Sequence, residues 1–360
     1  MKVLHMEKYQ SIIKQLSKED PKSIRKLIET LENLFKEKTQ SLDSDDYEIV
    51  CCPHCGSIHF KKNGTDKNGR QRFMCKDCGK TFGVTNNSIL YRSRISKDTW
   101  MKFIDCEIAR VPLKEESYQT GLSITTCFYM RHKLNKAASD ILEQSKLSGL
   151  TEVDGAYFSI NLKGTKPDKM PRFSKTRGSK SSLKGISHHK VCIACAIDEN
   201  DETIMRIVGL GPESIDKYMK ISDSLEKVSI LVSDSKSCFQ PLSNNLGAVS
   251  DRIPVKPDKK CYTTPMGNSL GDVNELIENY RTNMKSKHGV GTRYQQGYMD
   301  FYQLLKKMKR QYERKELTEA LFNVLNQGEY LTHAELIMVD MPISLKEAYY
   351  EYRYGIFAED

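Results

Sequence analysis

Cys52-Pro53-His54-Cys55-Gly56 and, 19 residues further on, Cys75-Lys76-Asp77-Cys78-Gly79 form two Cys-x-x-Cys pairs, and their spacing decides how the N-terminal part of the chain is read. Four thiolates at this spacing close a tetrahedral shell around one Zn2+, each pair lying on a tight turn that supplies two ligands. A glycine follows the second ligand in both halves, where it permits the bend that turns backbone N–H groups toward sulfur. Between the pairs run Phe60-Lys61-Lys62-Asn63-Gly64 and Lys67-Asn68-Gly69-Arg70-Gln71-Arg72-Phe73. Two Asn-Gly turns flanked by short strands suit a ribbon hairpin, and Lys61, Lys62, Arg70 and Arg72 suit a phosphate backbone. Residues 47–94 are therefore expected to form a zinc ribbon.

Composition bounds what surrounds it. The 360 residues are 38% hydrophobic and 29% charged, ordinary for a folded protein of two or three domains. No apolar run approaches a bilayer span, and Met1-Lys2-Val3-Leu4-His5-Met6-Glu7-Lys8 lacks a signal-peptide core, so a cytoplasmic, nucleoid-associated protein is expected. In that compartment the 11 cysteines read as one zinc site plus free thiols, with Cys192 and Cys195 in a strand core. The excess of 56 basic over 47 acidic residues, +9 net, favours nucleic acid as the partner.

Residues 1–46 carry apolar positions at helical spacing, broken by Asp20-Pro21 as a helix start, and read as a helical segment. Residues 95–148 begin with a helix from Ser96, its cap, to about Ile108. Pro112–Tyr118, the turn Thr120-Gly121-Leu122-Ser123, and Ile124–Leu142 then read as a helix-turn-helix. Its second helix leads with Thr125 and Thr126 and continues with Arg131 and Lys133, small polar residues followed by cations, as a major-groove reader requires. A plain helical hairpin is the competing reading.

From residue 149 the pattern changes to strands. Leu150–Phe158 carries Asp154 among apolar residues, Lys190–Ile197 and Thr203–Val208 alternate, and Val228–Ser233 ends on Asp234. Either aspartate alone fits a turn or a cap; the two together, in a basic protein with a zinc motif, point to a divalent-metal site. Residues 303–318 form a basic amphipathic helix, read either as a phosphate-contacting or as a solvated surface, and 306–360 a helical C-terminal extension.

The order of zinc ribbon, helix-turn-helix, Glu152-Val153-Asp154-Gly155-Ala156-Tyr157-Phe158, Leu231-Val232-Ser233-Asp234, Val273-Asn274 and His288-Gly289-Val290-Gly291-Thr292-Arg293-Tyr294 resembles the zinc-ribbon insertion-sequence transposases of the ISXO-like group, over roughly residues 45–305. The resemblance implies a multidomain α+β protein whose residues 149–305 adopt an α/β ribonuclease-H-like fold. It implies catalytic aspartates at Asp154 and Asp234, and a third member on a later helix, Asn274 in an ungapped alignment or Glu278 in a gapped one. Asn274 is preferred, and Arg281 then stands where lysine is usual; Lys285 holds that place relative to Glu278. Such a site holds two Mg2+ or Mn2+ ions about 3.5–4 Å apart for cleavage and joining of DNA strands.

Family members also carry a basic segment after the first aspartate, matched by 161–190 with Lys175, Arg177 and Lys180. The implied partners are double-stranded DNA, both terminal inverted repeats and target, and further copies of the chain as a dimer or larger assembly. The competing classes are a non-catalytic DNA-binding regulator and a metal-dependent nuclease that cuts without joining.

Overall fold

The computed structural model describes residues 51–65, 71–83, 90, 93–143, 145–165, 170–171, 185–254, 262–325, 332–337, 339–345 and 348–349. The helical segment expected over 1–46, Arg70, Lys175, Arg177 and Lys180 lie outside the described residues. The chain divides into two compact units, Met1–Asn87 and Ser88–Asp360.

In the first unit, β1 (Phe60–Thr65), β2 (Gln71–Cys75) and β3 (Thr81–Gly83) make an antiparallel sheet in that order. Phe60, Phe73 and Phe82 meet at centroid distances of 5.7–5.9 Å and, with Cys52 and Cys75, supply its small core. Asn63-Gly64, expected as a turn, instead lies inside β1, where the register shifts between Lys62 and Thr65 and Gly64 takes a φ of 66°. The glycine relieves a bulge in the strand and does not end it.

The second unit opens with α1 (Lys97–Ile108), α2 (Leu113–Thr120) and α3 (Ile124–Leu142). Ser96 and Ser123 cap α1 and α3 by accepting from the N–H of Thr99 and of Thr126, each supplying an acceptor for an otherwise orphaned amide. Gly121, at φ 71°, ends α2 in the left-handed region. A five-stranded sheet follows: β4 (Ser148–Ser159), β5 (Lys190–Asp198), β6 (Thr203–Leu210), β7 (Lys227–Ser233) and β8 (Val249–Arg252), ordered β6-β5-β4-β7-β8. The β6-β5-β4 portion is antiparallel and β4-β7-β8 is parallel. Alternation along the strands feeds two cores, so Cys192 and Cys195 point to opposite faces and both are fully buried.

Helices cover both faces of the sheet. On one side the short α4 (Ile215–Tyr218) and α5 (Phe239–Leu246) bury Tyr218, Phe239 and Leu242 against Val153, Ala194 and Leu231. On the other, α6 (Gly271–Ser286) buries Val273, Leu276, Ile277 and Tyr280 against Ala156, Ile193, Cys195 and Val232. Two further helices, α7 (Gln295–Gln311) and α8 (Arg314–Leu325), close a third core whose other wall is Trp100, Phe103, Ile104, Met130 and Leu134 of α1 and α3. The boundaries expected near 148 and 305 therefore do not separate cores: the helix-turn-helix segment and the expected C-terminal extension share one. No helix among the described residues is long and apolar enough to cross a membrane.

The basic stretch at 303–318 spans the end of α7, a break at Tyr312 and the start of α8. Much of its charge is engaged inside the unit. Lys306 pairs with Asp201, Lys307 with Glu202 at 2.9 Å, Arg310 with Glu202 at 2.8 Å and Arg314 with Asp105 at 3.0 Å. These pairs clamp the β5–β6 turn and α1, and they weaken the phosphate-contacting alternative for this stretch.

His132 on α3 is 4% exposed, ringed by Phe128, Tyr294 and Tyr298, and its Nε2 has no hydrogen-bond partner among the described residues. Burial, and then the neighbouring Arg131, push its imidazole down to about 3. The unfolded chain therefore binds this proton and the folded one does not, so stability falls as pH drops below about 6.5, by up to about 1.4 kcal/mol per pH unit. Urea titrations at pH 7 and pH 5 should show this loss, and His132→Phe should flatten it. An unchanged slope in the variant would mean that the folded state protonates at His132 without penalty.

Candidate metal centres and the surfaces around them

The first centre is built by two matching turns. Gly56 N–H donates to Cys52 O at 2.8 Å and Gly79 N–H to Cys75 O at 3.1 Å, while Cys52 N–H and Cys75 N–H reach Ser57 O and Lys80 O. Both glycines sit at positive φ, 74° and 69°, as the ligand spacing required. The turns bring the Sγ atoms of Cys52, Cys55, Cys75 and Cys78 within 4.8 Å of one another, with Cys52–Cys78 at 3.8 Å and Cys55–Cys75 at 3.6 Å.

A tetrahedral zinc with Zn–S bonds of about 2.3 Å needs sulfurs about 3.8 Å apart, so the donor set fits zinc. The thiols already share protons unequally. The Cys78 amide, ahead of the cost of burial, draws Cys75 down to about 6; against the Ser57 amide, burial and the other thiols push Cys55 up to about 12. Cys51 is exposed beside the group and is not part of it. Elemental analysis should find one zinc per chain in the wild type and in Cys51→Ser. A Cys75→Ser/Cys78→Ser variant should lose it along with the ribbon's fold, because so small a core depends on the metal; undiminished zinc in that variant would rule out these ligands.

On the ribbon, Lys61, Lys62 and Arg72 are exposed. Lys61 pairs across the strands with Met74 and so shares a face with Arg72, whose Nη2 donates to Thr81 Oγ1 at 3.2 Å.

The second centre lies on the large sheet. β4 and β7 run parallel with Leu150 beside Ile230 and Glu152 beside Val232, and the same offset carried two residues on sets Asp154 beside Asp234, just past the end of β7. Both belong on the face covered by α6, since Val232 and Ala156 pack there. Asp154 is thus in mid-strand, unlike Asp234, which fits the expected position at a strand end.

One ammonium joins them. Lys236 Nζ lies 2.8 Å from Asp234 Oδ2, 3.5 Å from Asp154 Oδ1 and 2.7 Å from Glu213 Oε1. Asp154 Oδ1 also accepts from the Gly155 N–H at 2.7 Å, and Asp234 Oδ1 from the Lys236 N–H at 2.9 Å. Burial raises the Asp154 carboxyl above its ordinary value in spite of Lys236, whereas Asp234 and Glu213 hold Lys236 above its own against burial. Arg252 fixes the turn by donating to Ser235 O and, at 3.1 Å, to Lys236 O. Two aspartates converging on one cation position fit a divalent ion bound through oxygen. Lys236 and Glu213 were not singled out from the sequence; Lys236, two residues after Asp234, could have been, but Glu213 comes from a loop that only the fold brings near.

The third member is not drawn in. The N-terminus of α6 is anchored to the sheet by Glu152, whose Oε2 accepts from the Val273 N–H at 2.9 Å, a carboxylate placed where the helix dipole favours it. Asn274 and Glu278 stand exposed on α6, and among the described contacts neither bonds to Asp154 or Asp234. Glu278 instead pairs with Arg281 at 3.6 Å and Lys285 at 3.8 Å.

Along α3, Thr125 is exposed and Thr126 half-buried at the capped first turn, next to exposed Ile124. Lys133 is half-buried, and burial lowers its pKa. Arg131 corrects the expectation of a phosphate contact. It follows Cys127 by one helical turn on the buried stripe, is 2% exposed, and is paired with Glu107 and Glu116. Lys287, at the end of α6, completes this interior group at 2.7 Å from Glu107. Against the cost of burial, Lys287 and Arg131 hold Glu107 down to about 2.

No family model matches the chain, and no curated protein matches it. Among solved structures, the Mos1 mariner paired-end complex with Mn overlaps at 12% identity and a TM-score of 0.25, covering 89% of this chain and 90% of that one. The Drosophila P element transposase strand transfer complex overlaps at 11% identity and TM-score 0.26, covering 66% of each chain. A simian T-cell lymphotropic virus intasome in complex with the PP2A regulatory subunit B56 gamma overlaps at 11% and 0.24, covering 65% of this chain and 69% of that one. Overlaps this slight bear neither on the fold nor on the activity of this chain.

Proposed function

We propose that the chain is a DNA transposase that binds the terminal inverted repeats of an insertion sequence and carries out Mg2+-dependent strand cleavage and strand transfer. The observation that carries this reading is the convergence of Asp154 and Asp234, from adjacent parallel strands, on a single cation position. The sheet around them supports it: three antiparallel strands continued by two parallel ones, with one aspartate on the first strand in chain order and the other after the fourth, is the arrangement a ribonuclease-H-like domain would have.

In this reading Asp154 and Asp234 hold the catalytic Mg2+ or Mn2+, which when bound supplies Lewis-acid activation of the attacking oxygen and stabilises the leaving one. Glu152 fixes the start of α6 and so sets where Asn274, with Glu278 as alternative, can approach the DNA-loaded site. Arg281 and Lys285 on the same helix, and Lys175, Arg177 and Lys180 of the basic segment, contribute phosphate contacts. Ribbon and helix-turn-helix bind the repeats, through Lys61, Lys62, Arg70 and Arg72 and through Thr125, Thr126 and Lys133. A dimer or larger assembly pairs the two ends.

The test is to incubate the zinc-loaded protein with duplexes ending in the inverted repeats that flank its gene, with Mg2+ and a target plasmid. Joined products support the proposal. Cleavage without joining would make the protein a nuclease, and binding without either reaction a regulator.

A further inference from the structure

The Lys236 ammonium lies where a metal would have to lie to touch both aspartates, and this has consequences for how a metal enters. Three carboxylates share that one ammonium, and they are not equivalent. The Glu213 side chain is 2% exposed, against 20% for Asp154 and 32% for Asp234. Glu213 also has a place reserved for it. A Cβ at residue 155 would lie 2.1 Å from Glu213 Oε1 and 2.8 Å from its Cδ, so glycine beside Asp154 is what lets this carboxylate pack against β4. The backbone of Lys236 is tied at both ends, its N–H to Asp234 and its carbonyl to Arg252, which leaves the side chain as the part that can move.

We propose that Lys236 is a built-in counterion for the metal-free site, occupying the cation position between Asp154 and Asp234, and that Glu213 is the seat to which its ammonium withdraws when a divalent ion arrives. This rests on the reading of Asp154 and Asp234 as metal ligands and deepens it. Taken at formal charge, the three carboxylates and Lys236 leave an excess that one divalent ion balances. A second ion finds that balance only when DNA brings its own phosphate. The lysine thus offsets part of the charge on a solvent-open pair of aspartates without a metal, and it lowers the affinity for divalent ions in the absence of DNA, since an incoming ion must first displace a like charge.

Mn2+ titration of the zinc-loaded full-length protein without DNA, read by the loss of the free-ion electron spin resonance signal, tests the assignment. Lys236→Met should bind Mn2+ about tenfold more tightly than wild type or better, having no ammonium to displace. Lys236→Arg, which keeps the charge, should stay near wild type. Glu213→Gln should bind several-fold more weakly than wild type, because the ammonium loses its alternative partner. Equal Mn2+ affinity in Lys236→Met and wild type would overturn the counterion role, as would tighter binding in Glu213→Gln. The underlying reading fails separately: it is lost if Asp154→Asn binds Mn2+ as wild type does, whereas weakened binding there with an unchanged Lys236→Met would discard only the counterion.

Discussion

Asp154→Asn and Asp234→Asn are each expected to abolish detectable strand transfer while leaving inverted-repeat binding within about twofold of wild type. Removing one stabiliser of developing phosphoryl charge costs on the order of 10²–10³ in rate, and losing a metal ligand costs more. Asp154 stands in mid-strand beside Asp234, just past the end of the parallel β7, and the third carboxylate on the Lys236 ammonium, Glu213, is 2% exposed and packed against Gly155, so it is not expected to replace either aspartate as a ligand. Binding should survive because the ribbon belongs to a compact unit, Met1–Asn87, separate from the one that holds the aspartates, and Thr125 lies at the exposed start of α3. Gel-shift and strand-transfer assays on the same preparations check both halves of the statement. Full activity in either variant would end the transposase mechanism. On α6, Asn274→Ala should behave like the aspartate variants and Glu278→Ala should keep measurable joining; the reverse result would transfer the third role to Glu278.

Arg131→Ala should have the largest effect on stability of any single substitution in the second unit. It removes the guanidinium that pairs with two buried carboxylates, Glu107 and Glu116, and leaves Lys287 as the remaining cation of the group. Stranding a buried charge in this way typically costs about 3–5 kcal/mol, most of it desolvation that the lost pairing had offset. Burial and the nearby Glu107 push the Glu116 carboxyl upward against the pull of Arg131, so without Arg131 this carboxylate is the one that would hold a proton. Urea unfolding should show the loss, and adding Glu116→Gln should recover part of it. A residue that contacted DNA would do the opposite, weakening binding in a salt-dependent way with little change in the unfolding midpoint.

Arg131 also marks the limit of what could be read from the amino-acid sequence. As a cation a few residues into a helix with a polar start, it matched the pattern of a groove reader; what decided its role was the burial stripe through Cys127 and Leu134 and the presence of two acids on other helices. Local chemistry was legible because it depends on short spacing: the cysteine turns with their glycines, the Ser96 cap, the strand around Asp154 and the strand ending at Asp234. The two aspartates taken together already pointed to a metal site, but their adjacency could not be derived from spacing, since the parallel register that joins them spans some eighty residues of chain. Glu213 carried no signal at all. Its meaning comes from Gly155, whose missing side chain makes room for Glu213 only once the loop after β6 is folded against β4.

The core shared by α1, α3, α7 and α8 sets a timetable for synthesis. The ribbon's elements end by residue 83, so it can take its metal while the rest of the chain is still being made. The helices expected to read DNA leave the ribosome next, but the partners of Trp100, Phe103 and Leu134 are Leu304, Leu305, Leu321 and Phe322. At roughly 5–20 residues per second those partners follow on the order of ten seconds later or more, and until then an apolar face is open to chaperones and to other nascent chains. A copy of the gene interrupted anywhere before α7 would yield a product that cannot complete this core. Truncation before α7 should therefore not leave a stable product that keeps the helix-turn-helix segment; it should give one that is cleared.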